Sequence, residues 1–283
     1  MLLRRIFILF FFLLLKFWCF SQDSIKNIIF IPEGILFKPL LFDPTESQYY
    51  GGLFLLNDSG KWNEEVYIPI TLVINKPVLR FEHNDFSWEF GFEGDGFTQF
   101  DIKKIDRKTA LGKMLNTDFR GGVFFNFSKS IYSTRIRLFH SSSHLADDYI
   151  LKNEVSPRTP SELDYEQVDI TIARQINNAR MYLGSGMVVS PNTVRKRFSV
   201  QTGGYYIRSF ANSFAFLMGT DIKIFQQNDY RPNIKLGVGI RIGNNLKIPL
   251  NLVLEYYNGH LPYSTLEYRI VQWFGISLSF KTQ

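Results

Sequence analysis

Apolar and polar residues alternate with a period of two over most of the chain. Near the C-terminus, Phe274, Ile276, Leu278 and Phe280 are apolar, and the residues between them are small. The same alternation occurs around residues 86–93, 168–172, 214–224, 234–242 and 248–256. Successive side chains of a β-strand point to opposite faces of its sheet. The pattern therefore predicts many strands that each have one apolar face.

About twelve strands are predicted in this way, which makes the fold class all-β. Their expected ranges are 48–56, 66–74, 86–101, 116–128, 131–142, 165–176, 179–189, 198–210, 213–225, 233–243, 248–257 and 268–281. The connections after strands four, six, eight and ten are short. Those after strands one, three, five, seven, nine and eleven are predicted to be longer, and the longest is 143–164. Short turns at one end, long loops at the other and an even strand number are typical of a transmembrane antiparallel β-barrel.

The charged residues at alternate strand positions are compatible with two architectures. In a soluble β-sandwich the apolar faces would form a core and the charges would meet water. In a membrane barrel the apolar face meets lipid and the charges line the lumen. The final strand favours the barrel, because it is amphipathic and aromatic and ends at Phe280. Such a strand is like the one that the outer-membrane assembly machinery recognises, so this machinery is an expected partner.

The first residues predict export. Two arginines precede an apolar run over residues 6–15, and Cys19 and Ser21 are small residues at the positions that a signal peptidase reads. We expect residues 1–21 to be a signal peptide that is cleaved after Ser21, and the bacterial outer membrane to be the destination. A lipoprotein anchor at Cys19 is the less favoured alternative, because the large Trp18 precedes it.

Removal of the signal peptide changes the charge and the cysteine count. The segment carries three basic residues and no acidic one, so the formal net charge of the rest is three units below the +6 of the whole chain. This small excess gives no argument for a nucleic-acid partner. The single cysteine of the sequence lies in the signal, so we expect neither a disulfide framework nor a thiolate metal site. No cofactor is predicted.

The mature chain is predicted to be one domain. Residues 48–283 form the expected barrel, and residues 22–47 fit no strand pattern. Pro32, Pro39 and Pro44 interrupt this stretch, so we interpret it as an ordered periplasmic or lumenal N-terminal segment.

Three stretches carry a resemblance to a known family. They are residues 32–44 (Pro-Glu-Gly-Ile-Leu-Phe-Lys-Pro-Leu-Leu-Phe-Asp-Pro), residues 116–120 (Asn-Thr-Asp-Phe-Arg) and residues 137–148 with the later pair Tyr165-Glu166. The third stretch contains the distinctive His-Ser-Ser-Ser-His-Leu-Ala-Asp sequence. Together they resemble the family called domain of unknown function 1207. The resemblance implies an outer-membrane barrel and supplies no established activity.

His140, Ser142 and Glu166 are the candidate catalytic residues. Their positions on predicted strands five and six have the same parity as the lipid-facing residues. Because these two strands should pair antiparallel, we expect Ser142 and Glu166 to lie close together, with His140 one pleat below. A serine, a histidine and a carboxylate within reach can act as nucleophile, general base and orienting group.

This arrangement resembles the outer-membrane lipid A 3-O-deacylase, which has a His-x-Ser on one strand and a Glu at the head of the next. The resemblance implies that Ser142 attacks an ester carbonyl, His140 accepts the proton and Glu166 holds the imidazole. The substrate would be an outer-membrane lipid, either lipopolysaccharide or phospholipid. The sequence identifies no oxyanion donor, and Ser143 stands where the deacylase has an asparagine.

Other interpretations of the same residues stay open. His140, Ser142 and Glu166 would then be a polar patch at the membrane edge, and the protein a non-enzymatic pore or surface-binding barrel. The lumenal charges would then line a pore, or they would pair and fill the interior. They are Glu93, Asp118, Arg120, Arg135, Arg137, Asp169 and Arg241. A divalent cation at His144, Asp147 and Asp148 is a weaker possibility. Four aromatic residues are predicted to lie in the membrane-interface girdles: Trp88, Tyr132, Tyr256 and Trp273.

Overall fold

The computed structural model describes residues 25–58, 60–104, 110–152, 162–190 and 195–280. The strands are β1 (Ile25–Phe30), β2 (Tyr49–Asp58), β3 (Lys61–His83), β4 (Phe86–Lys104), β5 (Ala110–Lys129), β6 (Tyr132–Leu145), β7 (Glu162–Ile176), β8 (Ala179–Ser190), β9 (Phe198–Ala211), β10 (Phe214–Phe225), β11 (Pro232–Ile242), β12 (Leu250–His260) and β13 (Ile270–Phe280). One short helix, α1, spans Asp147–Lys152. Within these ranges no helix has the length and apolar character needed to cross a membrane. The predicted signal peptide, residues 1–21, lies outside the described residues.

Strands β2–β13 form a closed antiparallel barrel. Each strand pairs with its neighbours in sequence, β2 pairs with β13, and the β3–β4 pairing completes the ring. Alternate side chains face opposite sides: on β12, Leu252 and Leu254 are exposed outward, whereas Asn251 and Glu255 are buried. The predicted barrel of about twelve strands is therefore confirmed, and the predicted strands one to twelve correspond to β2–β13.

The loop lengths follow the prediction at all but two connections. The connection between β11 and β12, predicted to be short, spans residues 243–249. The connection between β2 and β3 spans only residues 59–60, so the longer loop predicted after the first barrel strand is wrong. The cause is β3, which spans Lys61–His83 where the pattern predicted 66–74. Its first residues are mostly polar and resemble a loop. A bulge between Pro77 and Leu79 shifts the alternation further along the strand, which hides its end.

The opposite end of the barrel has tight turns. Residues 84–85, 130–131, 177–178 and 212–213 each join two strands. Ser130 and Asn177 adopt positive φ values of 55° and 49°, as short hairpin turns require. By the barrel rule this end is periplasmic, and the opposite end, where β6 ends and α1 follows, is the outer one.

The N-terminal part contains a strand that the sequence pattern did not predict. β1 pairs antiparallel with Leu79–His83 at the periplasmic end of β3. β2 pairs with the other half of β3, so β1 occupies an edge that β2 leaves uncovered. Its pattern is hard to recognise because Ile28, Ile29 and Phe30 are consecutive apolar residues rather than alternating ones.

Most of residues 36–48 are buried inside the barrel, whereas the preceding Ile31 and Glu33 are exposed. Arg135 donates to both carboxylate oxygens of Glu46, at 2.6 and 2.8 Å. Lys223 pairs with the buried Asp43 at 3.0 Å. Apolar side chains of the segment are also buried against the wall; they are Phe37, Leu40 and Phe42. This segment therefore neutralises wall charges and fills lumenal space at once.

Several other lumenal charges pair with one another across strands, which is one of the two arrangements expected for them. Arg120 contacts Asp95, Arg137 contacts Asp169 at 2.8 Å, and Lys235 contacts Glu255 at 2.9 Å. Both partners of each contact are largely removed from solvent. Burial of such charges requires a partner, which explains why acidic and basic residues alternate along neighbouring strands.

An aromatic cluster fills part of the interior and corrects one prediction. Trp273 is only 1% exposed and stacks on Tyr257 with ring centroids 3.8 Å apart. Its placement in a membrane-interface girdle is therefore wrong. The alternation of β13 explains this, because Phe274 and Ile276 face outward and so Trp273 must face the lumen. Tyr132 is 49% exposed, as a girdle residue should be.

Candidate functional site

The candidate residues lie on the outer surface of the barrel, near the long-loop end. His140 and Ser142 are on β6, which ends at Leu145, and Glu166 is on β7. Their side chains alternate with buried neighbours and point to the same side as the exposed Leu138. The His140 side chain is 52% exposed and that of Glu166 is 37% exposed. The predicted lipid-facing parity is confirmed.

The register of β6 and β7 differs from the expected one. His140 lies directly opposite Glu166, and Ser142 lies opposite Asp164. The prediction that Ser142 and Glu166 are neighbours, with His140 one pleat below, is therefore wrong by one pleat. β7 begins at Glu162 rather than at residue 165, and β6 continues beyond residue 142, so the two strands pair further toward the outer end.

Two hydrogen-bonded pairs result from this register. His140 Nδ1 is 3.3 Å from Glu166 Oε1, so the predicted contact between base and carboxylate is formed. The Ser142 hydroxyl lies 2.7 Å from Nε2 of His144 rather than bonding to His140. The structure therefore brings together His140 with Glu166 and Ser142 with His144, and it does not form the predicted contact between Ser142 and His140.

Sequence reasoning overlooked His144 as a partner of the serine. Its position was visible, because His140 and His144 lie two residues before and after Ser142 on the same face of β6. His144 also lies opposite Glu162, just as His140 lies opposite Glu166. The local pattern is thus symmetric about the serine, and parity alone could not choose between the two histidines.

Two glycines leave the surface beside His140 without side chains. Gly121 on β5 lies opposite His140, and Gly94 on β4 lies opposite Gly121. A Cβ built at either glycine would meet no atom within 4 Å, so the space above both is open. Phe119 is exposed opposite Ser142. A shallow apolar depression therefore adjoins the polar pairs.

The lumenal side of the same strand ends is firmly held. Ser143 is fully buried, donates to Asp118 and lies 3.0 Å from the Thr265 hydroxyl. Asp118 also accepts from the Asn116 amide and from the backbone N–H of Ser264. These bonds fix the backbone of β6 without using its exterior side chains. Substitution of an exterior residue should therefore leave the fold intact.

The structure gives the alternative cation site no support. Asp147 and Asp148 lie in the first turn of α1. Across the described ranges, no group of three or more histidine, cysteine, aspartate or glutamate side chains is arranged to hold a metal ion.

The closed barrel with its apolar exterior and polar lumen defines the chain as an outer-membrane β-barrel protein. More particularly, it belongs to the family described as "Protein of unknown function (DUF1207)", whose sequence model matches residues 18–282. The resemblance inferred from the sequence motifs is thereby confirmed. No curated protein sequence matches the chain.

Two solved structures are similar in fold. Outer membrane phospholipase A from Escherichia coli matches with a TM-score of 0.56 and 10% identity, over 88% of this chain and 95% of that one. The Salmonella typhi outer membrane phospholipase, solved as a dimer with bound calcium, matches with a TM-score of 0.56 and 11% identity, over 89% and 95% of the two chains. At these identities the likeness establishes the fold.

Proposed function

We propose that this barrel hydrolyses an acyl ester of an outer-leaflet lipid at its exterior surface. One observation carries the proposal: a serine hydroxyl lies 2.7 Å from a histidine nitrogen, beside a second histidine that a carboxylate holds. A serine becomes nucleophilic when an adjacent base can accept its proton. The lipid-facing surface of a barrel ordinarily carries apolar side chains, so a polar cluster on that surface calls for a functional explanation.

The position of the patch suits a lipid ester. Ser142 lies three residues before the end of β6, at the outer end of the barrel. Headgroups and water are found at that depth, and a lipid in the leaflet can reach the exterior laterally. The open surface above Gly121 leaves room for an acyl chain beside His140.

The comparisons support a phospholipid as the substrate class. Both similar structures with TM-scores of 0.56 are named as outer membrane phospholipases. Lipid A is the alternative substrate, because the spacing of His140, Ser142 and Glu166 resembles the lipid A deacylase. A pore is less well supported, because residues 36–48 occupy the lumen and pair with its charges.

Lipid mass spectrometry tests the proposal. Outer membranes that contain the wild-type protein should accumulate lyso-lipid and free fatty acid. Ser142→Ala should reduce this release by about 10⁴-fold or more, because the nucleophile is lost. Ser185→Ala is a matched control, since Ser185 is an exposed serine on the exterior of β8. Glu166→Ala should retain some activity, because an orienting group matters less than the nucleophile.

The outcome that refutes the proposal is simple to recognise. If the wild-type protein and Ser142→Ala give the same acylation pattern for phospholipids and for lipid A, no lipid ester is cleaved by Ser142. The heat-dependent gel shift of the folded barrel would show that both variants are folded. The three residues would then be a polar patch at the membrane edge.

A further inference from the structure

The exterior pairs suggest separate roles for the two histidines. Resting on the function proposed above, we propose that His144 is the general base for Ser142. In this assignment His140, held by Glu166, is the donor that stabilises the oxyanion. The roles thus differ from those implied by the deacylase resemblance, in which His140 is the base. They also supply the oxyanion donor that the sequence alone does not identify.

The first argument is the order of the three side chains along β6. The strand runs from the periplasmic turn at residues 130–131 to the outer loop that begins at residue 146. His140 therefore lies deepest in the membrane, Ser142 lies between, and His144 lies nearest the surface. Alternate residues of a strand are about 7 Å apart, so each histidine is one pleat from the serine.

The second argument is the orientation of a lipid in the leaflet. The alcohol part of its ester faces the headgroups, and its acyl chain points toward the membrane centre. The base that takes the serine proton must later give it to the leaving alcohol. His144 lies on the headgroup side and already contacts the Ser142 hydroxyl at 2.7 Å. His140 lies on the acyl side, next to the open surface at Gly121.

The third argument is the contact that His140 makes. Its Nδ1 lies 3.3 Å from Glu166 Oε1, so Nδ1–H donates to the carboxylate. In the imidazolium form that the proposal requires, Nε2–H is left to donate to another acceptor. When an ester approaches Ser142 with its acyl chain over Gly121, its carbonyl oxygen faces the Nε2–H of His140. Oxyanion donors often contribute the largest single part of catalysis in acyl transfer.

The chemical steps balance with water as the second substrate. The proton of the Ser142 hydroxyl passes to His144 Nε2 while the serine oxygen bonds to the acyl carbon. The carbonyl electron pair moves to its oxygen, which accepts a hydrogen bond from His140. The tetrahedral intermediate expels the alcohol, which takes the proton from His144. Water then cleaves the acyl-serine by the same route and releases a fatty acid.

Paired glutamine substitutions test this assignment. A glutamine amide donates a hydrogen bond and does not accept a proton at neutral pH, so it can replace a donor and not a base. Purified protein in mixed micelles with phosphatidylethanolamine would provide kcat and KM. His140→Ala should lower kcat by about 10²–10³-fold, and His140→Gln should recover most of that loss. His144→Ala and His144→Gln should both lower kcat by about 10²–10⁴-fold.

The results separate this proposal from the function on which it rests. If Ser142→Ala hydrolyses phosphatidylethanolamine as fast as wild type, both proposals fail. If hydrolysis depends on Ser142 and His140→Gln is inactive while His144→Gln remains active, His140 is the base and only the assignment fails. If both glutamine variants are active, or both are inactive, the assignment also fails. Recovery in His140→Gln alone, seen in kcat rather than KM, supports it.

Discussion

The contact between Glu46 and Arg135 should control how firmly the N-terminal segment stays in the lumen. Glu46 is on the segment and Arg135 is on the barrel wall, and two hydrogen bonds of 2.6 and 2.8 Å join them. The two side chains are only 1% and 2% exposed, so neither finds water when its partner is removed. The perturbation is Arg135→Ala, which leaves the Glu46 carboxylate buried without its cation.

The expected magnitude follows from the burial of this pair. Removal of one partner from a buried ion pair costs about 3–5 kcal/mol, because the remaining charge is uncompensated. The segment can avoid this cost by leaving the lumen, where Glu46 regains water. At about 1.4 kcal/mol per factor of ten, the undocked population should rise by roughly 10²–10⁴-fold. Asp43 and the buried Phe37 and Phe42 still hold the segment, so the docked state should remain the major one.

Cysteine labelling can measure this change directly. Leu40 is fully buried in the segment, so a thiol in Leu40→Cys reacts with a maleimide only after undocking. Mass spectrometry of the proteolytic peptide that contains residue 40 measures the labelling rate. In the Arg135→Ala background this rate should rise by the same roughly 10²–10⁴-fold as the undocked population. Arg174→Ala is the control, since it removes an exposed arginine of β7. The double change Arg135→Met with Glu46→Met should restore slow labelling, because it leaves no unpaired charge. An unchanged rate in Arg135→Ala would refute this account of docking.

Two further predictions concern the same surfaces. Gly121→Leu should fill the open space opposite His140 and raise KM for a phospholipid more than it lowers kcat. The control Ile170→Leu changes an exposed residue of β7 and should alter neither constant. Equal kinetics of Gly121→Leu and wild type would argue against an acyl chain at this place. Acidification should loosen the segment. Burial acts to raise the pKa of Glu46, but the charge and hydrogen bonds of Arg135 together with the charge of Arg137 outweigh it, so the net pKa lies below its usual 4.5. Docking is then fully supported above about pH 4.5 and weakens as the pH falls toward the docked pKa; faster labelling of Leu40→Cys at pH 4 than at pH 6, after correction for thiolate reactivity, is the expected result.

The barrel wall was predictable because lipid and lumen impose opposite chemistry on alternate residues. On β13, the apolar residues and the small ones between them identify both the strand and its outward face. Prediction was weaker where the alternation is interrupted. The bulge after Pro77 conceals the end of β3, and the apolar run Ile28–Phe30 does not alternate although it pairs with that end. Both interruptions depend on neighbouring strands, which a local pattern does not contain.

The candidate site was predictable in its membership and less so in its contacts. Parity placed His140, Ser142 and Glu166 on one exterior face, because the side-chain period of a strand is independent of its partner. Which residues lie opposite one another depends on where the strands β6 and β7 begin and end, and the long connection between them leaves that open. The pairing of Ser142 with His144 depends further on side-chain rotamers, which the sequence does not determine.

The filled interior explains why chemistry on a lipid would have to take place outside the barrel. The lumen contains residues 36–48, the ion pairs of the wall and an aromatic cluster around Trp273. An acyl chain would have to displace buried charges to enter. Displacement of even one such charge from its partner costs several kcal/mol. The exterior at His140 requires no such displacement, because Gly121 and Gly94 leave its surface open. A polar cluster that faces lipid, beside a lumen that residues 36–48 occupy, is therefore the arrangement that the proposed leaflet hydrolase requires.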